Sequence, residues 1–224
     1  DVGGGYFLSR CPWYAGEWLA LTGNAVSGAD ALAIGWADHW LPSTRLPEFW
    51  RQLAETEWSD SAAIAQWVTQ SCDPAPAVSD DFDHGLRQAE HYFAGTDLAA
   101  IVRQLEQAKG DAWAQATAAT LRQRSPLMLH VVLRQIRGGR ALSYAQNIYR
   151  ERVMVHHCFH PDHLGRAPRN SEVIEGIRAL VIDKDQRPLW QPERVEDVTP
   201  EMAEGFFAEV WRPGDHPLRQ LLQP

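Results

Sequence analysis

Helix punctuation between residues 96 and 159 is dense enough to fix the fold class. Thr96-Asp97 stands as a cap before Leu98, Ile101, Val102 and Leu105 at helical spacing, and Gly110 follows the end of that stretch. Trp113 to Gln123 is alanine-rich and helical. Ser125-Pro126 opens the next helix, because proline is tolerated in a first turn. Its apolar stripe is Leu129, Val132, Leu133 and Ile136, and Gly138-Gly139 ends it. Leu142 to Phe159 continues helical.

The flanking sequence reads the same way. Tyr6 to Leu21 is apolar and aromatic, and Gly23 after it predicts one helix closed by a left-handed glycine. Ser27 and Asp30 have the spacing of a capping box, and Gly35 stops the short helix behind them. Leu46 to Gln70 is helical with a break within Glu57 to Ser61, and Asp73-Pro74-Ala75-Pro76 is a linker. Phe82 to Phe93 is amphipathic, with Asp80, Asp81 and Asp83 supplying negative charge to its N-terminus. His160 to Ser171 reads as a loop, Glu172 to Ile182 as a short apolar stretch, and Pro200 to Trp211 as a capped helix. Trp36 to Leu41 is the one run that suits a strand. The chain is therefore expected to be mainly α. Its ten tryptophans are expected mostly as core or interface anchors.

Charge and composition narrow the function. A net charge of −8 over 224 residues opposes nonspecific nucleic-acid binding, which needs a basic surface. No apolar run approaches the ~20 residues that span a bilayer, and no secretion signal stands at the start. Cys11, Cys72 and Cys158 are too few and too odd in number for a disulfide framework. The opening Asp1-Val2-Gly3-Gly4-Gly5 lacks a methionine, which predicts processing or an upstream part.

Several chemistries lack their motifs: there is no Gly-x-Ser-x-Gly elbow, no Walker loop and no dinucleotide-binding glycine fingerprint. His156-His157-Cys158-x-His160-x-x-His163 is the most metal-like cluster, but adjacent ligands on a helix point apart, so no metal is expected. Asp183-x-Asp185 lacks the length and terminal glutamate of a calcium loop.

The ordered motifs carry a resemblance. Asp1-Val2-Gly3-Gly4-Gly5-Tyr6-Phe7-Leu8-Ser9-Arg10 resembles the second half of a crotonase active-site segment. Hydratase-type members usually have glycine where Asp1 stands; the 3-hydroxyisobutyryl-CoA hydrolases have aspartate followed by Val-Gly-Gly. Leu21-Thr22-Gly23 and Ala31-x-x-x-Gly35 resemble superfamily patterns, and Ser125-Pro126 with Leu133-Arg134-Gln135-Ile136 resembles a hydrolase pair on one helix. Most specific is Glu175-Gly176-Ile177-Arg178-Ala179 through Ile182-Asp183-Lys184-Asp185 to Pro188-x-Trp190. The stretch from His156 to Ser171 is longer than the family pattern, and Trp36 and Trp40 replace aliphatic residues.

This resemblance implies that residues 1–42 end a crotonase core segment and that 43–224 form a helical C-terminal region of a spiral (ClpP-like) α/β crotonase fold. It implies an acyl-CoA thioester hydrolase, with 3-hydroxyisobutyryl-CoA of valine breakdown as substrate and no cofactor beyond the coenzyme A of that substrate. Asp1 would be the catalytic carboxylate of a pair whose other member lies upstream, along with the oxyanion donors. Val2, Gly3 and Gly4 would line the acyl group, and Lys184 and Arg187 would approach the CoA phosphates. Homo-oligomer formation is left open. Bacterial cytoplasm, or the mitochondrial matrix of a eukaryote, would be the location. An enoyl-CoA hydratase/isomerase and a noncatalytic helical assembly fragment are the alternatives.

Overall fold

The computed structural model describes residues 3–212 and 214–222. Its α-helices are α1 (Gly4–Leu8), α2 (Ala15–Thr22), α3 (Gly28–Ala33), α4 (Leu46–Glu55), α5 (Ser61–Ser71), α6 (Asp80–Tyr92), α7 (Leu98–Gln107), α8 (Ala112–Gln123), α9 (Pro126–Gly139), α10 (Tyr144–Phe159), α11 (Glu172–Ile177) and α12 (Pro200–Glu204). A π-helical turn, Arg178–Ile182, continues α11. Among the described residues the β content is one isolated bridge between Trp40 and Asp73, in place of the strand expected over Trp36 to Leu41. No helix among them is long and apolar enough to cross a membrane.

Side-chain caps set most helix starts. Asp97 accepts from the amides of Ala99 and Ala100 at 3.1 and 3.2 Å, and Ser125 accepts from Met128 at 3.2 Å. Ser143 and Gln146 form a reciprocal box, as do Ser27 and Asp30. Each such cap contributes about 1 kcal/mol. Asp111 caps α8 through Ala114 at 3.0 Å and also accepts from Gln88 at 2.9 Å and Tyr92 at 3.1 Å.

Two compact units result. One runs to Asn24 and resumes at Arg87; the other is Ala25–Leu86. The first holds the large core, with Leu98, Ile101, Leu105, Leu121, Leu127, Val131, Ile136 and Phe206 fully buried. Leu127 and Val131 of α9, Met154 of α10, Val198, Ala203 of α12 and Phe206 make one cluster within it. The second unit packs around aromatic rings, with Phe49 and Trp67 centroids 4.8 Å apart and Trp58 and Trp67 5.4 Å apart. The Trp58 indole donates to the Leu53 carbonyl at 2.9 Å. Arg45 ties the linker end by pairing with Asp73 and donating to the Ser71 carbonyl at 3.0 Å.

Three expectations need correction. The stretch Tyr6 to Leu21 is two helices, because Pro12 has no amide to donate and Trp13 and Tyr14 take left-handed φ values of 51° and 57°. The tail helix ends at Glu204, and a 3-10 turn, Gly205–Phe207, follows. The tryptophans divide: Trp18 is buried, but Trp13, Trp36 and Trp50 are exposed.

Candidate functional site

Two stretches singled out by the sequence take well-defined places in the first unit. At the glycine-rich stretch, Gly3 precedes α1 with φ of 95°, a conformation open to glycine and strained for other residues. Its amide donates to Glu151 Oε2, and the Gly5 amide donates to Glu151 Oε1 at 2.8 Å. The Gln135 amide group donates to the same Oε1 at 2.9 Å. Glu151 is 3% exposed, so its carboxylate is removed from water and satisfied by backbone and amide donors.

Sequence places each member of this clamp. Gln135 and Gly139 lie four apart on α9, and Asn147 and Glu151 lie four apart on α10, so each pair shares a helix face. The Asn147 side chain donates to the carbonyls of Gly139, Leu142 and Ser143 at 3.2, 3.3 and 3.1 Å, which holds the turn between the two helices. Gly5 has no room for a side chain: a Cβ there would lie 2.6 Å from both Gln135 Nε2 and Glu151 Oε1. Next to the clamp, Arg10 sits 3.7 Å over the Tyr6 ring and donates to the Leu142 carbonyl at 2.6 Å. Tyr6 meets Phe7 and Tyr144 edge-on, and the last two are exposed.

Asp1 and Val2 lie outside the described residues. Gly3 and Gly4 are beside the clamp. Lys184 and Arg187 are elsewhere in the sequence and fold, on an exposed turn built by Arg178. The Arg178 guanidinium binds Glu175 at 2.8 Å, Asp183 and Asp185 at 2.7 Å, and the Arg187 carbonyl at 3.0 Å. The three carboxylates raise its pKa, and the Arg178 guanidinium, with the Arg187 amide, keeps Asp185 below the ordinary carboxylate range. Lys184 and Gln186 take left-handed φ values of 56° and 57° in this turn. The Lys184 and Arg187 side chains are exposed, and Arg187 adds a weaker electrostatic pull on Asp185.

The most specific motif closes on itself. Glu175 accepts from the Leu189 amide at 2.7 Å, and a Cβ on Gly176 would lie 3.3 Å from the Trp190 ring. Trp190 in turn donates to the Gln123 carbonyl at 3.3 Å. Leu21, Met128, Glu172, Gly176 and Trp190 line a cleft of about 630 Å³. At its edge Glu172 is buried and accepts from Ser125, from Arg166 at 3.2 Å and from the Gln191 amide at 3.1 Å. Burial raises its pKa against the pull of those donors.

The histidines lie at and beyond the end of α10. His157 faces the Ala208 carbonyl at 2.9 Å, and His156 stacks on His160. His163 packs against Phe206, and burial lowers its pKa to about 4. The described residues contain no group of three or more His, Cys, Asp or Glu side chains arranged to hold a metal ion. Burial pushes the Cys158 thiol up to about 11. Sequence reasoning missed Glu151 and Glu172. The available signal for Glu151 was an acid four residues after Asn147, on a face shared with apolar Met154.

Comparison with known proteins gives consistent relationships. The family model described as "Enoyl-CoA hydratase/isomerase" matches residues 1–207. The chain is 34% identical over 219 residues to 3-hydroxyisobutyryl-CoA hydrolase 1 of Arabidopsis thaliana, covering 96% of this chain and 56% of that protein. It is 31% identical over 211 residues to small ribosomal subunit protein mS47 of Arabidopsis thaliana, covering 92% of this chain and 50% of that one. Among solved structures it is similar to a carnitinyl-CoA dehydratase from Mycobacterium thermoresistibile, with a TM-score of 0.74 and 31% identity, covering 94% of this chain and 56% of the other. The chain thus spans about half the length of the curated relatives it matches.

Proposed function

Because this chain belongs to the enoyl-CoA hydratase/isomerase family, we propose that it is the C-terminal part of an acyl-CoA thioester hydrolase acting on 3-hydroxyisobutyryl-CoA. The observation that carries the reading is the 34% identity over 219 residues to a plant protein named for that reaction. The Asp1-Val2-Gly3-Gly4 motif supports it, since the resemblance links aspartate at this position to the hydrolases.

In this reading an upstream segment supplies the oxyanion donors and a second carboxylate. Asp1 orients water or shuttles a proton, so that two carboxylates divide the work at one thioester. The backbone at Gly3 and Gly4 lies against the acyl group. Lys184 and Arg187 offer positive charge to the CoA phosphates, a role supported by their exposure on the Arg178-braced turn. No cofactor is needed beyond the CoA of the substrate, and the reaction suits bacterial cytoplasm or the mitochondrial matrix.

The test is CoA thiol release from 3-hydroxyisobutyryl-CoA beside hydration of crotonyl-CoA, using the complete polypeptide that carries this chain. Fast thiol release with little hydration is expected. Asp1→Asn should lower turnover by about 100-fold or more with the fold retained; unchanged turnover would remove Asp1 from the mechanism. Lys184→Ala with Arg187→Ala should raise KM more than it lowers kcat. Two other readings rest on specific relatives. Likeness to a carnitinyl-CoA dehydratase favours a hydratase, which hydration without thiol release would establish. Likeness to a ribosomal subunit protein favours a noncatalytic assembly role, which silence in both assays would favour.

A further inference from the structure

We propose that Glu151, seconded by Gln135, is a positioning residue that fixes the Gly3–Gly5 backbone for catalysis. The inference rests on the hydrolase reading for its consequence and on geometry for its substance.

A buried carboxylate is a costly way to hold a short helix in place. Removing its charge from water carries a penalty that an apolar residue of similar size would avoid. The five-residue helix α1 also packs on α2, α9 and α10, so packing already locates it coarsely. Glu151 adds direction. Its two oxygens take amides two residues apart, Gly3 and Gly5, which fixes the orientation of the intervening peptide planes as well as their position. Gln135 fixes the carboxylate in turn, through Oε1 at 2.9 Å. The three groups exclude alternatives: a Cβ on Gly5 would fall 2.6 Å from Glu151 Oε1 and from Gln135 Nε2. Glu151 comes from α10 and Gln135 from α9, so two long helices converge on one glycine stretch whose backbone the proposed function sets against the acyl group. Displacements of about 1 Å at such a stretch cost on the order of 100-fold in rate.

Glu151→Gln replaces one accepting oxygen with a donating amide that faces a backbone N–H. Gln135→Leu leaves the carboxylate in place and removes its brace. In the complete polypeptide, Glu151→Gln should lower kcat for thiol release by about tenfold or more, and Gln135→Leu by a smaller factor, while KM shifts less than about threefold. Amide exchange of the peptide spanning residues 3–9, followed by mass spectrometry without substrate, should speed up in Glu151→Gln. Should that variant fold poorly, Gln135→Leu carries both readouts. Unchanged kcat in the folded variants overturns the proposal, and so does a loss of rate that only tracks the loss of folded protein. Unchanged exchange overturns it whatever the activity. A wild-type polypeptide silent in thiol release, with exchange still faster in Glu151→Gln, overturns the hydrolase reading and leaves the clamp standing.

Discussion

Arg140, the residue that closes α9, places its Nη2 2.5 Å from Oε1 of Glu17, a completely buried side chain of α2. Arg137 adds a second guanidinium at 3.6 Å. The two guanidiniums tie α9 to α2 at a carboxylate that is itself buried in the first unit.

Arg140→Ala leaves a buried carboxylate with one distant partner and should destabilise the fold by about 3 kcal/mol. Glu17→Gln removes the charge with the shape kept and should cost less. Urea unfolding of both variants decides the point: a larger loss for Glu17→Gln would show that the ion pair is not what Arg140 contributes.

Neighbouring glycines should respond in opposite ways to one methyl group. Gly5→Ala drives a Cβ into the Glu151–Gln135 clamp and should cost about 1–3 kcal/mol. Gly4→Ala meets Leu8 Cδ1 at an ordinary 3.7 Å within a helix and should be neutral or stabilising by up to about 1 kcal/mol. Thermal melts of the two variants, run side by side, would expose an error if Gly5→Ala proved as stable as Gly4→Ala.

One acid window belongs to His163. Its ring is held between Phe206, Gly205 and His157, with Arg166 and Asp162 also nearby. Burial lowers its pKa from 6.5 to about 4, so the unfolded chain takes up the proton at higher pH than the folded one. The stability this contributes is complete above pH 6.5 and is lost as pH falls toward 4. His163→Gln should flatten the melting temperature against pH across that window; an unchanged slope would contradict the assignment.

A lower window belongs to Glu196. Arg122 binds it at 2.7 Å, and the bond to that guanidinium holds the carboxyl at about 2. A carboxyl depressed on folding stabilises above the unfolded value of about 4.3 and loses that effect as pH drops toward the folded value. Glu196→Gln should therefore melt below wild type at neutral pH, and the gap should close as pH falls toward 2. A gap that stays constant with pH would mean the carboxyl is not paired in solution.

The helices were legible wherever a cap residue and a stripe coincide, as at Asp97 and Ser125, because both signals are local. The break between Ser9 and Tyr14 was not, since Trp13 and Tyr14 adopt left-handed backbone in a run whose apolar composition suits a helix. The motif from Glu175 to Trp190 was readable as a pattern, yet its reason is tertiary: Gly176 clears space for Trp190. Glu151 escaped notice because its partners, Gly3 and Gly5, lie more than 140 residues away, and pairings at that range leave no periodicity.

The aromatic packing of the second unit has a consequence for where the chain opens. Helices α4 and α5 contain no fully buried side chain. Few apolar contacts oppose local unfolding there, so these helices belong at the low end of the opening free energies within the molecule. Residues 46–71 should surrender their amide protons early and present the first protease cuts, while α9 and its core partners stay closed.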